Sequence, residues 1–259
     1  MKGLDGKVAL VTGGGKGIGR SIALALAARG VRIVVTGRDE KALGETVGEI
    51  AYGGGKARHL AGDVRDAAHL SAAVERAVEV FGGLDIVIAN AGQSGRVELG
   101  GDDLARAEAI VSTNLMGAYY TFNAAAKRMK GPGRLVATSS VLAKFGVSGY
   151  AAYCASKAGI LGLVRATAEE LGPRKITCNA VVPGWVDTAM SDDGIREIAA
   201  SQGTTEEAAK AAAVAAFPLG RFLEPEEVAE LVVFLCSSAG EGITGQAISI
   251  CGGATAFGG

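Results

Sequence analysis

The stretch that decides the fold is K-V-A-L-V-T-G-G-G-K-G-I-G, residues 7–19. Residues 7–12 are apolar and rich in Val, which predicts a short strand. The run after the glycines, R-S-I-A-L-A-L-A-A-R-G, has the apolar spacing of a helix and stops at Gly30, a suitable C-cap. Residues 32–36 form a second strand pattern. A strand, a glycine-rich turn, a helix and a strand within about thirty residues predict a βαβ unit.

The same alternation continues along the rest of the chain. Strand patterns lie at residues 56–62, 84–90, 134–140, 175–182 and 246–250, and helical patterns at residues 39–50, 67–81, about 102–129, about 150–172 and 225–235. Strands that alternate with helices predict an α/β fold with a mostly parallel sheet covered on both faces. No linker, charge block or internal repeat divides the sequence, so we predict one doubly wound domain over residues 1–259.

Charge and composition argue against several classes of function. The 26 basic and 27 acidic residues leave a net charge of −1, which provides no overall electrostatic attraction to nucleic acid or an anionic membrane. The N-terminus moves directly into a strand pattern without a signal-peptide core, and no apolar run has the length of a membrane span. The four cysteines are scattered, which disfavours a disulfide framework or a zinc site. We expect reduced, buried thiols in a cytoplasmic protein.

Tyr153 and Lys157 stand four residues apart in a stretch with helical spacing, so we expect both side chains on one helix face. A free phenol, with a pKa of about 10, is a poor acid near neutrality. A nearby ammonium would lower the pKa of Tyr153 toward the range of efficient proton transfer. Ser140 ends the preceding strand pattern, and its hydroxyl could hydrogen-bond a substrate oxygen. The alternative for the pair is a half-buried aromatic beside a solvated charge.

Several candidate groups fall at the same edge of the predicted sheet. Residues 13–19, residues 90–92, Ser140 and residues 183–188 each lie just past a predicted strand end. In doubly wound sheets, ligands bind beyond the carboxyl ends of the strands. A chance Tyr/Lys pair would not explain this coincidence.

The glycine-rich turn predicts a nucleotide site. Gly13, Gly17 and Gly19 leave backbone N–H groups uncovered at a helix N-terminus, where these donors and the helix dipole favour a pyrophosphate. The spacing T-G-x-x-x-G-x-G differs from the G-x-G-x-x-G of the standard dinucleotide fingerprint. A flexible turn in a chain with 40 glycines is the alternative, but the strand before it and the helix after it favour nucleotide binding.

The end of the second strand indicates which dinucleotide binds. An acidic residue there would hydrogen-bond the ribose of NAD, but Gly37 occupies that place and Arg38 follows. Lys16, in the glycine turn, is a second cation near the same point. Two cations and no acid suit a 2′-phosphate, so we predict NADP(H). NAD(H) is the alternative, if both cations are solvated and Asp39 is the ribose ligand rather than a helix cap.

Three further positions follow strand ends or interrupt a helix. Asp63 and Val64 follow the third strand, where one could bond the adenine amino group and the other pack on the ring. Turn chemistry is the alternative for the Asp. The small residues 90–92 would let a backbone pass close to a cofactor.

Asn114 lies within a predicted long helix, although Asn is a poor helix former. Its presence there indicates a specific role.

Taken together, these motifs resemble the short-chain dehydrogenase/reductase family over essentially the whole chain. They are T-G-G-G-K-G-I-G, A-N-A-G, Asn114, Ser140, Y-C-A-S-K and P-G-W-V-D-T. The resemblance implies a Rossmann fold in which Tyr153 is the general acid/base and Lys157 lowers its pKa and holds the nicotinamide ribose. It implies that Ser140 orients the substrate oxygen and that Asn114 holds a water in the proton relay. Implied cofactor contacts are Gly13, Gly15, Lys16, Gly17, Ile18, Gly19, Arg38, Asp63, Val64, Asn90, Ala91, Gly92, Tyr153, Lys157, Pro183, Gly184, Val186 and Thr188, in the pattern of the NADP(H)-preferring branch.

The resemblance extends to a lid and to the assembly. Residues 188–217, which are alanine-rich with weak apolar faces, match the family's mobile helical substrate lid. Family members are usually homotetramers that pack the two long helices, here at about 102–129 and 150–172, and the last strand against neighbours. Ala89 replaces a frequent Asn, and Cys251 stands where many members have Asp. A similar Cys-Gly-Gly ending is familiar from polyketide ketoreductases.

These expectations converge on an NADPH-dependent carbonyl reductase that works reversibly as an alcohol dehydrogenase. The expected substrate is a 3-oxoacyl thioester on an acyl carrier protein (ACP) or coenzyme A (CoA), or a related ketone. Arg128, Lys130 and Arg174 could bind the carrier's phosphate, unless they are solvated charges. Trp185 and Phe145 suggest an apolar wall, unless they are plain packing. The alternatives are an NAD-dependent dehydrogenase of a cyclic or secondary alcohol and, more distantly, a non-catalytic nucleotide-binding sensor.

Overall fold

Seven parallel strands form one sheet in the part of the chain that the computed structural model describes, residues 2–215 and 217–256. In chain order they are β1 (Val8–Thr12), β2 (Arg32–Gly37), β3 (Ala57–Ala61), β4 (Ile86–Ala89), β5 (Gly133–Thr138), β6 (Ile176–Pro183) and β7 (Ala247–Ile250). Their order across the sheet is β3-β2-β1-β4-β5-β6-β7. The predicted doubly wound α/β fold, a Rossmann fold, is confirmed. Residues 1, 216 and 257–259 of the predicted 1–259 domain lie outside the described residues.

Helices connect the strands. They are α1 (Gly17–Ala27), α2 (Glu40–Tyr52), α3 (Ala67–Phe81), α4 (Leu104–Val111), α5 (Gly117–Arg128), α6 (Ala151–Leu171), α7 (Ala189–Gln202), α8 (Glu206–Ala215) and α9 (Pro225–Cys236). None of the helices in the described ranges combines the length and the apolar composition needed to cross a bilayer. Within the same ranges, no three His, Cys, Asp or Glu side chains come together as a metal site.

The strand β1 shows why helices cover both faces of the sheet. Its apolar side chains alternate between two cores, because successive side chains of a strand point to opposite faces. Ala9 and Val11 pack in one core with side chains of α1 and α9. Val8 and Leu10 pack in the other with side chains of α3, α5 and α6. A strand buried on both faces reads as a continuous apolar run, which is how it appears in the sequence.

The predicted long helix at about 102–129 is interrupted. α4 and α5 are separated by a π-helical turn, Ser112–Met116, with Asn114 at its centre. A π-turn widens the helix, and such turns are frequent at functional sites. The strand predicted to end at Ser140 ends instead at Thr138, and Ser140 caps a short 3₁₀ turn, Val141–Ala143, by accepting the Leu142 N–H at 3.2 Å.

The segment predicted as a lid folds into α7 and α8. These helices share a small core of their own, formed by Ile195, Ala199, Ala209 and Phe222. Trp185 stacks on Phe222 with ring centroids 5.4 Å apart. The weak apolar faces of α7 and α8 are therefore sufficient to form this small separate core. The next helix, α9, packs directly on the sheet instead.

The four cysteines are free thiols. Cys178, in β6, and Cys236, at the end of α9, are buried, and burial raises the pKa of both. Cys154 and Cys251 are only partly buried, so the prediction of four buried thiols is wrong for these two. Cys154 stands on the first turn of α6 and Cys251 just past β7, both outside the packed interior of the sheet.

Candidate active site

A cavity of about 620 Å³ lies at the carboxyl edge of the sheet, where the strand order reverses between β1 and β4. Most of the sequence-predicted residues line it: Gly13, Lys16, Gly17, Ile18, Gly19, Asn90, Ala91, Gly92, Ser140, Tyr153, Lys157, Pro183, Gly184, Val186 and Thr188. Gly15, Arg38, Asp63, Val64 and Asn114 are not part of its lining. The structure thus gathers residues from four segments that follow strand ends, and from helix α6, around one space.

The glycine turn is packed too tightly for side chains. A Cβ on Gly13, where φ is +67°, would lie 2.9 Å from the Cα of Ala91. A Cβ on Gly19 would collide with the Gly13 carbonyl oxygen and the Asn90 amide. The Asn90 Nδ2 atom donates to the Thr12 carbonyl at 3.2 Å, which ties the two motifs together. The glycines therefore bring the backbone of the turn against the end of β4, with helix α1 starting directly behind it.

The N-terminus of α1 differs from those of the next three helices. α2, α3 and α4 each begin with an Asp, at positions 39, 66 and 103, whose carboxylate accepts a backbone N–H. α1 begins after Lys16, and no side chain among the described residues caps it; its first turn holds no acidic residue. The unpaired N–H groups and positive end of the helix dipole are left for an anion. This arrangement fits the pyrophosphate of a dinucleotide.

The end of β2 is cationic, as the sequence indicates. Lys16 pairs with Asp39, with Nζ 2.6 Å from Oδ2, while Oδ1 of Asp39 accepts the Ala42 N–H at 3.1 Å. The hydrogen bond from Lys16 is the main cause that lowers the pKa of Asp39. Both oxygens of Asp39 are thus engaged, which favours its role as a helix cap over that of a ribose ligand. Arg38 is exposed beside this pair, so the surroundings suit a 2′-phosphate.

The two residues after β3 have protein partners. Asp63 accepts hydrogen bonds from the Arg65 guanidinium, at 2.7 and 3.0 Å, and this pairing lowers the pKa of Asp63. Val64 is buried, and a Cβ added to Gly117 of α5 would lie 2.8 Å from its Cγ2. The structure gives Val64 a packing role under α5. Contact of either residue with adenine stays a prediction.

Tyr153, Lys157 and Ser140 meet at the centre of the cavity. Tyr153 and Lys157 lie on one face of α6, with Lys157 Nζ 5.7 Å from the Tyr153 ring centroid. The Lys157 ammonium donates to the Thr138 carbonyl at 2.8 Å, at the end of β5. The Ser140 hydroxyl lies near Tyr153 and acts to lower the pKa of the phenol. One sheet edge and one helix therefore hold a phenol, a hydroxyl and an ammonium together.

The pKa of Tyr153 does not follow the sequence argument. Burial raises it to about 12, and the nearby Ser140 hydroxyl only partly counteracts this. The pKa of Lys157 is lowered to about 8 by its own burial. The expectation of a lowered Tyr153 pKa is wrong for the protein alone, because desolvation penalises the phenolate and the ammonium faces the Thr138 carbonyl. In the protein alone, Tyr153 is therefore protonated near neutral pH.

The π-turn explains Asn114. Its Oδ1 accepts the Gln93 N–H at 2.8 Å, and its Nδ2 donates to the Gln93 carbonyl and to Ser156 Oγ, both at 3.0 Å. A Cβ on Gly92 would lie 3.1 Å from Asn114 Oδ1 and 3.4 Å from Lys157 Nζ. Asn114 therefore fixes the loop after β4 beside Lys157, one layer behind the cavity lining. Its role in a water relay stays a prediction.

Some contributing residues were not found from the sequence. Thr138 acts through its backbone carbonyl, which leaves no side-chain signal. Ser156 accepts a hydrogen bond from Asn114 and lies in the Y-C-A-S-K motif, directly before Lys157. Its place in that motif was the available signal. Thr12 Oγ1 accepts the N–H groups of Asn90 and Ala91, at 3.0 and 3.1 Å. Its place at the very end of β1 was the available signal.

The side of the cavity away from the glycine turn is apolar. The lining here comes from the loop after β5, from Trp185 and from the lid: Leu142, Phe145, Val147, Trp185, Met190, Ile198 and Phe217. Trp185 both lines the cavity and stacks on Phe222, so its two predicted roles coexist. Because apolar side chains dominate this side, it suits a largely hydrophobic molecule with a polar group near Tyr153.

Two residues of the suggested basic patch have partners within the chain. Arg128 pairs with Glu75 of α3. Arg174 donates to the Ala126 carbonyl at 3.0 Å and to the Met129 carbonyl, so it caps the C-terminal end of α5. Helix ends attract cations by their unpaired carbonyl groups. Two of the three suggested cations thus have partners within the chain, which supports the alternative of structural surface charges, and the phosphate-binding patch stays a prediction.

Comparison with known proteins agrees with this geometry. A family model described as enoyl-(acyl carrier protein) reductase matches residues 13–255. A Streptomyces virginiae protein named as a ketoacyl reductase of the monensin polyketide synthase is 38% identical over 257 residues, which cover 95% of this chain and 96% of the relative. Versicolorin reductase of Emericella nidulans is 39% identical over 257 residues, 97% of this chain and 96% of the relative.

A solved structure is similar over nearly its full length. It is a variant of actinorhodin polyketide ketoreductase crystallised with NADPH, 35% identical, with a TM-score of 0.92 and coverage of 99% of this chain and 100% of that one. Sequence match, fold and the placement of the motifs all point to the same group of enzymes. The chain belongs to the short-chain dehydrogenase/reductase family.

Proposed function

We propose that this protein is an NADPH-dependent carbonyl reductase, which also works in reverse as an alcohol dehydrogenase. The observation that carries the proposal is the meeting of Tyr153, Ser140 and Lys157 in the cavity that also contains the glycine turn. A nucleotide site and a proton donor at one place are what reduction of a ketone requires. The relatives named as ketoacyl, versicolorin and polyketide ketoreductases support the same reaction class.

The nucleotide would be held by the chain's own groups in three places. The glycine turn and the uncapped start of α1 would hold the pyrophosphate, since a Cβ would fill the cradle at Gly13 and Gly19. Arg38, together with Lys16 on release from Asp39, would hold a 2′-phosphate, which favours NADP(H) over NAD(H). The segment 183–188 would lie beside the nicotinamide; Thr188 already touches the turn, since a Cβ on Gly17 would lie 3.1 Å from its Cγ2. NADPH would supply the hydride.

The proton would come from the Tyr153 hydroxyl. Ser140, which lines the cavity beside Tyr153, would share the substrate's carbonyl oxygen and keep it at the phenol. Lys157, whose pKa burial lowers to about 8, would stay close enough to stabilise the phenolate that remains. Asn114 and the Thr138 carbonyl would fix the positions of the neighbouring loop and of Lys157.

For the substrate, we propose a 3-oxoacyl thioester or related ketone, carried on ACP or CoA or free. The apolar wall of the cavity supports a hydrophobic chain or ring system next to the reacting carbonyl. The names of the polyketide relatives point in the same direction. An NAD-dependent dehydrogenase of a cyclic or secondary alcohol is the second candidate in the enzyme class.

We also propose a cytoplasmic homotetramer. Leu104, Met116 and Tyr119, large apolar or aromatic residues on the α4–α5 segment, are exposed, which supports a contact face there. Light scattering of the purified protein tests the assembly.

A turnover assay on a panel of ketones and alcohols with both nucleotides tests the activity. We expect NADPH oxidation with at least one 3-oxoacyl or cyclic ketone and weaker turnover with NADH. NADPH binding without turnover of any compound in the panel would favour a non-catalytic nucleotide-binding sensor. Preferred oxidation of alcohols with NAD would favour an NAD-dependent alcohol dehydrogenase.

A further inference from the structure

Glu197, on α7, joins the lid to three other segments near the cavity. One carboxylate oxygen pairs with the Arg106 guanidinium of α4. The other accepts the backbone N–H of Arg96 at 3.0 Å and the Tyr150 hydroxyl at 3.3 Å. Arg96 lies in the loop after β4, and Tyr150 directly precedes α6. Arg96, Arg106, Tyr150 and Glu197 are called the Glu197 cluster below.

Two glycines make room for the arginines of this cluster. A Cβ on Gly95 would collide with the Arg106 guanidinium, and a Cβ on Gly149 would lie 2.8 Å from Cζ of Arg96. The same Arg96 Cζ lies 5.9 Å from the Tyr150 ring centroid. The positive φ of Gly149, +79°, also turns the chain into α6 at this point. The absence of side chains at these two positions lets the arginines approach Glu197 and Tyr150.

Tyr150 connects the cluster to the chemistry. It is 6% exposed, lines the same cavity as Tyr153 and stands three residues before it. Burial, followed by the charge of Glu197, raises the pKa of Tyr150 to about 12, so its hydroxyl remains a donor to the carboxylate near neutrality. The position of α7 is thereby tied to the part of the cavity wall that leads into the helix of Tyr153 and Lys157.

We propose that Glu197 is a positioning residue for the reductase. It holds α7 against α4 and the start of α6, and so sets the closed position of the lid over the bound ketone. It touches no reacting atom and acts through the lid and Tyr150. The kinetic consequence rests on the proposed function, whereas the anchoring of α7 is a property of the chain alone.

Hydrogen–deuterium exchange of the full-length protein without substrate tests the anchoring. Glu197→Ala should speed exchange of the amides of residues 195–202 by at least about fivefold, because α7 loses its bonds to three segments. Asp193→Asn is the matched control: it breaks only the pair between Asp193 and Arg196, 2.6 Å apart on the surface of the same helix. Its exchange should equal that of the wild type.

Arg106→Gln removes the same ion pair with Glu197 by changing its partner on α4. This second variant tests the anchoring even if Glu197→Ala does not fold. It should also accelerate exchange in residues 195–202. Wild-type exchange in Glu197→Ala or Arg106→Gln, or equal acceleration in Asp193→Asn, would overturn the anchoring.

Steady-state kinetics then test the consequence. For a ketone that the wild type reduces, Glu197→Ala should raise KM about tenfold and leave kcat and the Kd of NADPH within about twofold. A loss of kcat at unchanged KM would overturn the positioning role. A wild type that reduces no ketone would defeat the proposed function, while the exchange result would still decide the anchoring.

Discussion

Replacing Tyr153 by Phe removes a single hydroxyl from the candidate active site and keeps the ring. Tyr153 is nearly buried, and the neighbouring Ser140 hydroxyl accepts the Leu142 N–H at 3.2 Å. Ser140 thus keeps this partner in the variant, and removal of the phenol hydroxyl should cost no more than about 1 kcal/mol of unfolding free energy. The reaction loses its proton donor, and general acid catalysis contributes roughly 10²- to 10⁴-fold. We expect kcat/KM to fall by this factor.

Two measurements separate chemistry from binding. NADPH oxidation with a reduced ketone gives kcat/KM, and fluorescence titration gives the Kd of NADPH, which should change by less than about threefold, since the turn and α1 are untouched. Tyr52→Phe, an equal change at an exposed position at the end of α2, is the matched control and should behave as the wild type. If Tyr153→Phe keeps more than about a tenth of wild-type kcat/KM, the assignment of Tyr153 as the proton donor is refuted.

Three other changes probe the nucleotide site and the buried lysine. Arg38→Asp should lower the ratio of kcat/KM for NADPH to that for NADH by at least about tenfold, and an unchanged ratio would remove Arg38 from the 2′-phosphate site. Gly19→Ala places a methyl group against the Gly13 carbonyl; NADPH should bind at least about tenfold more weakly by titration, and wild-type binding would contradict the packed-turn argument. Because burial lowers the pKa of Lys157 to about 8, the unfolded chain binds the extra proton between about pH 8 and 10, so stability should rise with pH in that window. Urea unfolding should show the wild type gaining at most about 3 kcal/mol over Lys157→Met there, and a pH-independent difference would contradict the buried, depressed lysine.

The fold was predictable because its signals are local. The central strands β1, β2, β4, β5 and β6 are mostly apolar and buried, and each of the helices α2 to α4 starts at an Asp that caps it. The boundaries moved by one or two residues, as at the end of β5. The carboxyl-edge rule then placed the glycine turn, Asn90, Ser140 and the segment 183–188 in one cavity, which the structure contains.

What the sequence did not provide depends on contacts between distant residues. The direction of the Tyr153 pKa shift depends on burial and on where the Lys157 ammonium points, and neither follows from spacing. The partners of Arg128 and Arg174 on α3 and α5, which support the alternative interpretation of the basic patch, likewise come from distant parts of the chain. The bonds of Glu197 join residues that are 47 to 101 positions away in the chain, so no local pattern marks them.

The π-turn at Ser112–Met116 has a consequence for the outer surface of the protein. Successive residues of a helix advance by about 100° around its axis, so one residue more or fewer in this turn would rotate everything beyond it by that angle. Asn114 would then leave its place behind Gly92 in the interior. On the outside, the exposed face of α4 with Leu104 and that of α5 with Tyr119 would be rotated relative to each other. The rotation of this helical segment thus couples the position of the Asn114 amide to the orientation of the exposed surface of α4 and α5. A deletion in the π-turn would alter both at once.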